Sequence, residues 1–332
     1  MIHIPLQQWP YVEWRGKSVS SRSIGGIALV VCILAASTYN TFAKILTESL
    51  SPLSLFFISE LLTGLFVIFS YGLMPIIRKV IQLPRKSYLP LLCIGLTNGT
   101  IAPLLLFPGL KMSTAVNASL FGNMETVFLI ILAVIVLHEH FHREHMLSIT
   151  TMFAGVLVIA LRGFTEGLHL YPGDILLILS SLSFATGSVI FRKYLRHTEP
   201  HLILFIRGAV AVSCFFLISP FLSYTLIEEI RAFPMSMIPV LLGFGLISRF
   251  LNIFSFYEAL DRLPVTIVSL FTNMTVISSI IFAAWILHEP ILGYHVVGGA
   301  FLILGALILE LAGMHPSTKH LEVQHRTRGP RA

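Results

Sequence analysis

Long apolar stretches separated by short polar connections follow one another from residue 24 almost to the C-terminus. Most are close to the roughly 20 residues that a helix needs to cross about 30 Å of hydrocarbon. Because lipid offers no hydrogen-bond partners to peptide groups, each predicted span is helical. The ten predicted spans are residues 24–46, 53–73, 89–110, 114–137, 146–161, 174–195, 202–222, 237–260, 265–287 and 293–314.

The amino-acid composition supports membrane insertion. Residues of the set AVILMFWYC make up 55% of the 332 positions and charged residues only 11%, whereas a typical soluble domain is about 25% charged. So few charges could not cover the surface of a water-soluble protein of this size. We therefore predict an all-α polytopic membrane protein, and we disfavour soluble enzymes, nucleic-acid-binding proteins and disordered scaffolds.

Lysine and arginine are distributed unequally between the two sides of the membrane. One side receives the N-terminal segment 1–23, the basic connection between the second and third spans, and the basic tail 315–332, which we expect to be disordered. The other side receives only Lys111, Arg162 and Arg231. Because positive charge accumulates in cytoplasmic loops, we expect both termini in the cytoplasm. The expected location is the inner membrane, which the chain crosses several times.

The chain matches itself at an offset of 150 residues. Ser119-Leu-Phe-Gly-Asn-Met124 aligns with Ser269-Leu-Phe-Thr-Asn-Met274, and Leu137-His-Glu139 aligns with Leu287-His-Glu289. Each copy holds five predicted spans, an odd number, so the two copies would cross the membrane in opposite directions. Inverted repeats of this kind build alternating-access transporters. Duplication for packing alone is the alternative interpretation.

These residues resemble the EamA-like family of the drug/metabolite transporter superfamily. In that family the fourth helix of each repeat ends in an apolar-x-Glu turn and is followed by a glycine-containing helix. Here Leu137-His-Glu139 precedes Gly155, and Leu287-His-Glu289 precedes Gly305. The resemblance implies ten helices in two five-helix repeats, residues 24–163 and 173–314.

The resemblance also implies a function. It indicates a secondary active transporter of small metabolites or amino acids, an exporter, and not an enzyme. Multidrug export and the flipping of lipid-linked sugars on the same fold are alternatives. No catalytic residue, metal or cofactor is expected. The expected partners are a small-molecule substrate, protons and membrane lipids but no nucleic acid, and the chain is expected to be a monomer or a homodimer.

One motif in the chain is typical of zinc proteases and not of transporters. His138-Glu-His-Phe-His142 satisfies H-E-x-x-H, which on a helix places two histidines on one face for zinc and a glutamate for proton transfer. An intramembrane zinc metalloprotease is therefore a remote alternative. The second copy has Leu292 at the place of the second histidine, so we interpret His-Glu as a feature of the repeat.

Charged side chains inside the predicted spans are candidates for a substrate cavity, because a charge at the centre of a membrane helix costs about 2.5–3.5 kcal/mol. Glu60 is one such charge. Glu125, near the middle of span 114–137, is expected to line the cavity, where it contacts substrate or takes up a proton. The alternative is a structural ion pair with Arg207 or Arg249.

Amide side chains complete the candidate set. Asn123 and Asn273 occupy equivalent positions of the two copies, where they either line the cavity or hold helices together. Arg207 is expected to form an ion pair or to contact the substrate. The predicted cavity residues are Asn40, Asn98, Asn123, Glu125, Arg207, Arg249, Asn252 and Asn273.

Overall fold

The helices dominate the structure of the protein. A computed structural model describes residues 21–138, 142–161, 171–195, 198–221, 226–263 and 265–314, which are helical apart from short connections. The predicted segments before residue 21 and from 315 to 332 lie outside these ranges. The main helices are α1 (Arg22–Ser49), α2 (Pro52–Tyr71), α3 (Arg85–Lys111), α4 (Ala115–Leu137), α5 (Arg143–Ala160), α6 (Pro172–Leu195), α7 (Pro200–Phe221), α8 (Met235–Phe256), α9 (Val265–Thr272 and Met274–Leu287) and α10 (Gly293–Met314).

Eight of these helices are long and apolar enough to cross a membrane. They are α1–α4, α6–α8 and α10, within the described part of the chain. The second part of α9, Met274–Leu287, is apolar but shorter, and α5 has 18 residues and begins with the charged pair Arg143-Glu144. Helix α8 is followed without interruption by further helix to Arg262. The predicted all-helical, multi-span fold is confirmed.

The outer surface of the bundle is apolar. Phe69, Leu217 and Trp285 are among many large apolar side chains that are exposed. A contiguous apolar surface of this kind would promote aggregation in water, whereas in a membrane it contacts lipid. The largest fully buried side chains of the interior are Phe56, Phe107, Phe121, Phe215 and Phe244.

Helix pairings between the two copies are symmetric. Helix α6 packs against α3 and α4, and α1 packs against α8 and α9, while α2 packs against α7. At the observed repeat offset α1 corresponds to α6, α3 to α8, and α4 to α9. The first helix of each copy therefore lies against the third and fourth helices of the other copy.

Helices α5 and α10 cross at small residues. The Ser148 hydroxyl donates to the Gly305 carbonyl at 2.7 Å, and a Cβ atom on Gly155 would lie 2.6 Å from the Gly298 carbonyl oxygen. Residues 148 and 298 are equivalent in the repeat, as are 155 and 305. Each contact therefore has a counterpart with the two copies exchanged, as at a two-fold axis, and this pairing of residues requires the helices to run antiparallel.

The Leu-His-Glu turns end two helices in the same way. His138 follows α4 and His288 follows α9, each with φ of 55°, a conformation that is uncommon for residues other than glycine. In the segments that follow, His145 Nδ1 accepts from the His142 amide and His295 Nδ1 from the Leu292 amide, both at 3.2 Å.

The turn after α4 is incompatible with the helical pair of histidines that a zinc protease needs. Helix α4 ends at Leu137 and α5 begins at Arg143, so His138 and His142 do not share one helix, as the helical H-E-x-x-H motif requires. The interior of the motif, residues 139–141, lies outside the described residues. The H-E-x-x-H match therefore spans the end of α4 and does not lie on one helix.

Glu289 joins the two halves of the chain. Its two carboxylate oxygens accept from the backbone amides of Ala115 at 2.8 Å and Val116 at 2.9 Å, the first residues of α4. A carboxylate at a helix N-terminus satisfies amides that have no partner within the helix and interacts favourably with the helix dipole. The turn after α9 thus caps a helix of the first copy.

Replacement of Glu289 by alanine is expected to lower the free energy of unfolding by about 2 kcal/mol, because two charge-assisted hydrogen bonds are lost. Denaturation of the purified protein in detergent measures the change. Glu48→Ala, at an exposed position, is the matched control and should change stability by less than about 0.5 kcal/mol. Equal effects of the two substitutions would contradict the capping role.

Two of the π-helical segments lie at equivalent places of the two copies. Thr97–Ile101 in α3 and Phe244–Leu251 in α8 both adopt this wider helix, which occurs frequently at functional sites. Asn98 lies in the first segment and Arg249 in the second. Ser248, beside Arg249, shares a hydrogen bond of 2.6 Å with Thr38 of α1. The two segments therefore bring polar side chains to the centre of the bundle.

Candidate functional site

A cavity of about 180 Å³ lies between α1, α3, α4 and α6. Its wall combines one carboxylate with an amide, hydroxyl groups and aromatic rings. We call it the first cavity. It is lined by Tyr39, Asn40, Leu106, Ala118, Ser119, Gly122, Glu125, Leu177, Ser180, Ser181 and Phe184.

Glu125 provides the carboxylate of the first cavity. Helix α4 is interrupted by a turn at Gly122 and Asn123, and Glu125 follows in the first turn of the resumed helix. The Ser188 hydroxyl of α6 donates to its Oε1 at 3.2 Å. Nearby, Asn40 donates to the Ser119 hydroxyl at 3.1 Å. The carboxylate is therefore held by a neutral hydroxyl.

A second cavity, also of about 180 Å³, adjoins the first. Tyr39 and Phe184 line both, so the two cavities meet at this pair of aromatic side chains. We call it the second cavity. It is lined by Tyr39, Glu60, Asn98, Pro103, Phe184, Arg207, Ser248, Arg249, Asn252 and Ile253.

Two arginines of the second cavity share one carboxylate. Arg207 Nη2 donates to Glu60 Oε1 at 3.1 Å and to Oε2 at 3.4 Å, and Arg249 Nη2 donates to the same Oε1. The side chains of Glu60 and Arg249 are 1% and 4% exposed, and that of Arg207 is 17% exposed. Both arginines bind Glu60, so the predicted alternative of an ion pair with Glu125 is wrong.

Glycines make room for this arrangement. Gly99 of the α3 π segment lies against α7, where a Cβ atom would be 2.6 Å from Arg207 Cγ and 2.9 Å from the Arg207 carbonyl oxygen. Gly187 of α6 lies directly against the Asn98 amide. A larger residue at either position would displace a side chain that lines the second cavity.

The remaining predicted amides of the second cavity are fixed by helix backbones and a thiol. The Asn98 amide, in the orientation that satisfies its neighbours, donates to the carbonyls of Ser183 at 3.2 Å and Phe184 at 3.3 Å. Asn252 donates to the Ser248 carbonyl at 3.4 Å and accepts from the Cys32 thiol at 3.4 Å. These contacts hold both amides at the cavity wall.

Asn123 and Asn273 are not among the residues that line the two cavities. Each stands where its helix is interrupted, between the two parts of α4 and of α9. Asn123 donates to the Ser119 carbonyl at 3.0 Å, and Asn273 donates to Glu310 Oε2 at 3.1 Å. The Asn273 bond joins α9 to α10 and favours a role in holding helices together, whereas the Asn123 bond stays within α4.

Sequence reasoning left most of the lining residues out of the candidate set, Glu60, Tyr39 and Phe184 among them. Glu60 was identified only as a charge inside a span, although two arginines inside spans need an acidic partner and few acids lie within spans. Tyr39 and Phe184 could not be identified as lining residues from the sequence, because the chain has 25 phenylalanines and nine tyrosines. Hydropathy does not distinguish an aromatic residue in a cavity wall from one that faces lipid.

Comparisons with known proteins find one matching family model and relatives that are described as transporters. A model of the EamA-like transporter family matches residues 23–161 and again residues 171–311. A relative described as an uncharacterized transporter, from Methanothermobacter thermautotrophicus, is 26% identical over 303 residues and covers 87% of each chain. The uncharacterized transporter YetK of Bacillus subtilis is 22% identical over 320 residues, or 92% of this chain and 93% of its own.

A solved structure has the same fold. This structure, described only as "Crystal structure of protein", superposes with a TM-score of 0.57 on 88% of this chain and 98% of its own. The two sequences are 17% identical. At this identity the likeness supports the arrangement of the helices alone.

Proposed function

The chain belongs to the EamA-like transporter family, and from this premise we propose that it exports small metabolites or amino acids by secondary active transport with alternating access. It is a multi-pass membrane transporter and not an enzyme. The observation that carries the proposal is the pair of adjoining polar cavities that meet at Tyr39 and Phe184. Tyr39 comes from α1 and Phe184 from α6, the first helices of the two copies.

The proposed architecture is ten membrane helices in two inverted repeats, residues 24–163 and 173–314. The family model matches the chain twice. The exchanged contacts of Gly155 with Gly298 and of Ser148 with Gly305 support an antiparallel relation between the copies. In this proposal α5 and α9 cross the membrane as well. Inverted repeats that move against each other around a central site are the basis of alternating access.

The proposed setting is the inner membrane, with both termini in the cytoplasm. The strong bias of lysine and arginine towards one side supports this orientation. The protein works as a monomer or a homodimer surrounded by lipid.

The size of the cavities favours small substrates. Each holds about 180 Å³, roughly the share of six water molecules in the liquid. A lipid-linked sugar or a large drug would not fit in this conformation. We therefore favour small metabolites and amino acids over the substrates of a flippase or a multidrug exporter.

Glu125 is proposed as the group that couples transport to protons. It lines the first cavity and is held by the neutral Ser188 hydroxyl, so it can exchange a proton without breaking an ion pair. Ionisable residues inside a membrane protein commonly form such proton relays.

Glu125→Gln is expected to abolish the stimulation of transport by a pH gradient, because glutamine cannot take up or release a proton. The measurement is flux in proteoliposomes with a panel of amino acids, metabolites and cationic drugs, with and without an imposed gradient. We expect at least about a tenfold loss of stimulation, equivalent to about 1.4 kcal/mol.

Glu144→Gln, at an exposed position of α5, is the matched control and should keep the response to the gradient. Wild-type flux that does not depend on the pH gradient, together with a fully active Glu125→Gln protein, would refute proton coupling through Glu125. The absence of flux for every compound in the panel would count against the transport proposal itself.

A further inference from the structure

The second cavity carries an excess of positive charge. Among the described residues that line it, Glu60 is the one acid, whereas Arg207 and Arg249 are both basic. Arginine stays protonated at all ordinary pH values, so an ionised Glu60 leaves the cavity with one unbalanced positive charge. A charge in a membrane protein interior is costly and indicates either a hidden partner or a ligand.

The hydrogen-bond donors of the two arginines are also incompletely used. Arg207 Nε and Arg249 Nη1 are buried and have no hydrogen-bond partner among the described residues. A buried donor without an acceptor is unfavourable, and more so when it is charged. Both the charge and the donors of this cavity therefore match an incoming acceptor with negative charge.

We propose that the second cavity binds the carboxylate of the transported molecule through Arg207 and Arg249. This inference rests on the proposed transport function and specifies its substrate class. One carboxylate balances the single excess charge, whereas a phosphate dianion would leave a negative charge in the cavity. The planar guanidinium group also pairs with a carboxylate through parallel hydrogen bonds.

The surroundings favour one orientation of the substrate. Pro103, Phe184 and Ile253 give the second cavity an apolar wall for the carbon skeleton. The first cavity, on the other side of the shared aromatic pair, contains Glu125, which repels a second negative charge when it is ionised. The anionic end of the substrate is thus held on the arginine side.

The test is a comparison of acids with their primary amides, which lack the carboxylate charge. Purified full-length protein in detergent is titrated calorimetrically with monocarboxylic acids and α-amino acids of three to ten carbons, each against its primary amide. The paired compounds are nearly equal in size and differ in charge. We expect at least one acid to bind about tenfold or more tightly than its amide. If no acid in the series binds more tightly than its amide, the proposal is overturned.

Substitutions assign the preference to the arginines. Arg207→Gln should reduce the ratio of acid to amide affinity to within about threefold, whereas Arg207→Lys, which keeps the charge, should retain part of it. Arg262→Gln is the matched control, because the native Arg262 side chain also pairs with an acid, Glu258, at 2.7 Å. This substitution should leave the ratio of acid to amide affinity unchanged. A monodisperse Arg207→Gln protein with the wild-type ratio would overturn the assignment.

The outcome is independent of the transport assay. Carboxylate preference in a protein that moves no compound of the transport panel across liposomes would support the site and count against the transport proposal. Transport of neutral or cationic compounds, without any preference for acids in binding, would support transport and overturn the carboxylate site.

Discussion

Replacement of Glu60 by leucine is expected to lower the free energy of unfolding by about 3–5 kcal/mol, the cost of breaking a buried ion pair by removing one partner. Glu60 is almost completely buried and binds both Arg207 and Arg249. Without it, two guanidinium groups remain in the interior with no acidic partner on the cavity wall. Denaturation of the purified protein in detergent measures the loss.

Glu199→Leu is the matched control for this substitution. Glu199 pairs with Lys79 at 2.6 Å, but both side chains are about half exposed, and exposed pairs contribute less than about 1 kcal/mol. Replacing Glu60, Arg207 and Arg249 together by leucine should recover much of the stability, since apolar replacement of a whole buried ion group is often neutral. Equal losses for Glu60→Leu and Glu199→Leu would show that the buried group does not stabilise the bundle.

Gly155→Leu is expected to lower the free energy of unfolding by about 3 kcal/mol, the upper part of the range for overpacking. The new Cβ atom would lie 2.6 Å from the Gly298 carbonyl oxygen and 3.1 Å from the Leu302 amide nitrogen. Both are backbone atoms of α10, so they cannot turn away as a side chain would. The helices must separate, and the Ser148–Gly305 hydrogen bond would lengthen with them.

Gly26→Leu is the control at a helix position where a Cβ atom meets nothing within 4 Å. Leucine is also the better helix former, so this substitution should be neutral or slightly stabilising. Thermal denaturation of both proteins in the same detergent compares their stabilities. A Gly155→Leu protein as stable as Gly26→Leu would mean that the close crossing of α5 and α10 contributes little.

The positions of the helices were largely predictable from hydropathy. The prediction 53–73 corresponds to α2 at Pro52–Tyr71. Hydropathy locates such a helix because the residues of a membrane helix are mostly apolar. The starts of α3 and α5 were predicted too late. Both helices continue through charged residues at their beginnings, Arg85 and Arg143, which an apolar window omits.

Only some members of the candidate site were predictable. Arg207 and Arg249 were identified because a charge inside a span is costly, and both line the second cavity. Their partner could not be chosen, since Glu60 and Glu125 are both acids within spans. Glu60 is 147 residues from Arg207 and 189 residues from Arg249 along the chain, so no local spacing links them. The π-helical segments that contain Asn98 and Arg249 also cannot be predicted from hydropathy.

The sequence by itself determined that the chain lies in a membrane, that it contains two related halves and that it resembles one transporter family. These properties depend on the chemistry of each residue and on identity between segments, which can be read along the chain. Only the tertiary structure decided that Glu60 joins both arginines and that Glu125 lies apart from them beyond Tyr39 and Phe184. Such choices depend on distances between helices, which are set by close contacts such as those of Gly99 and Gly155.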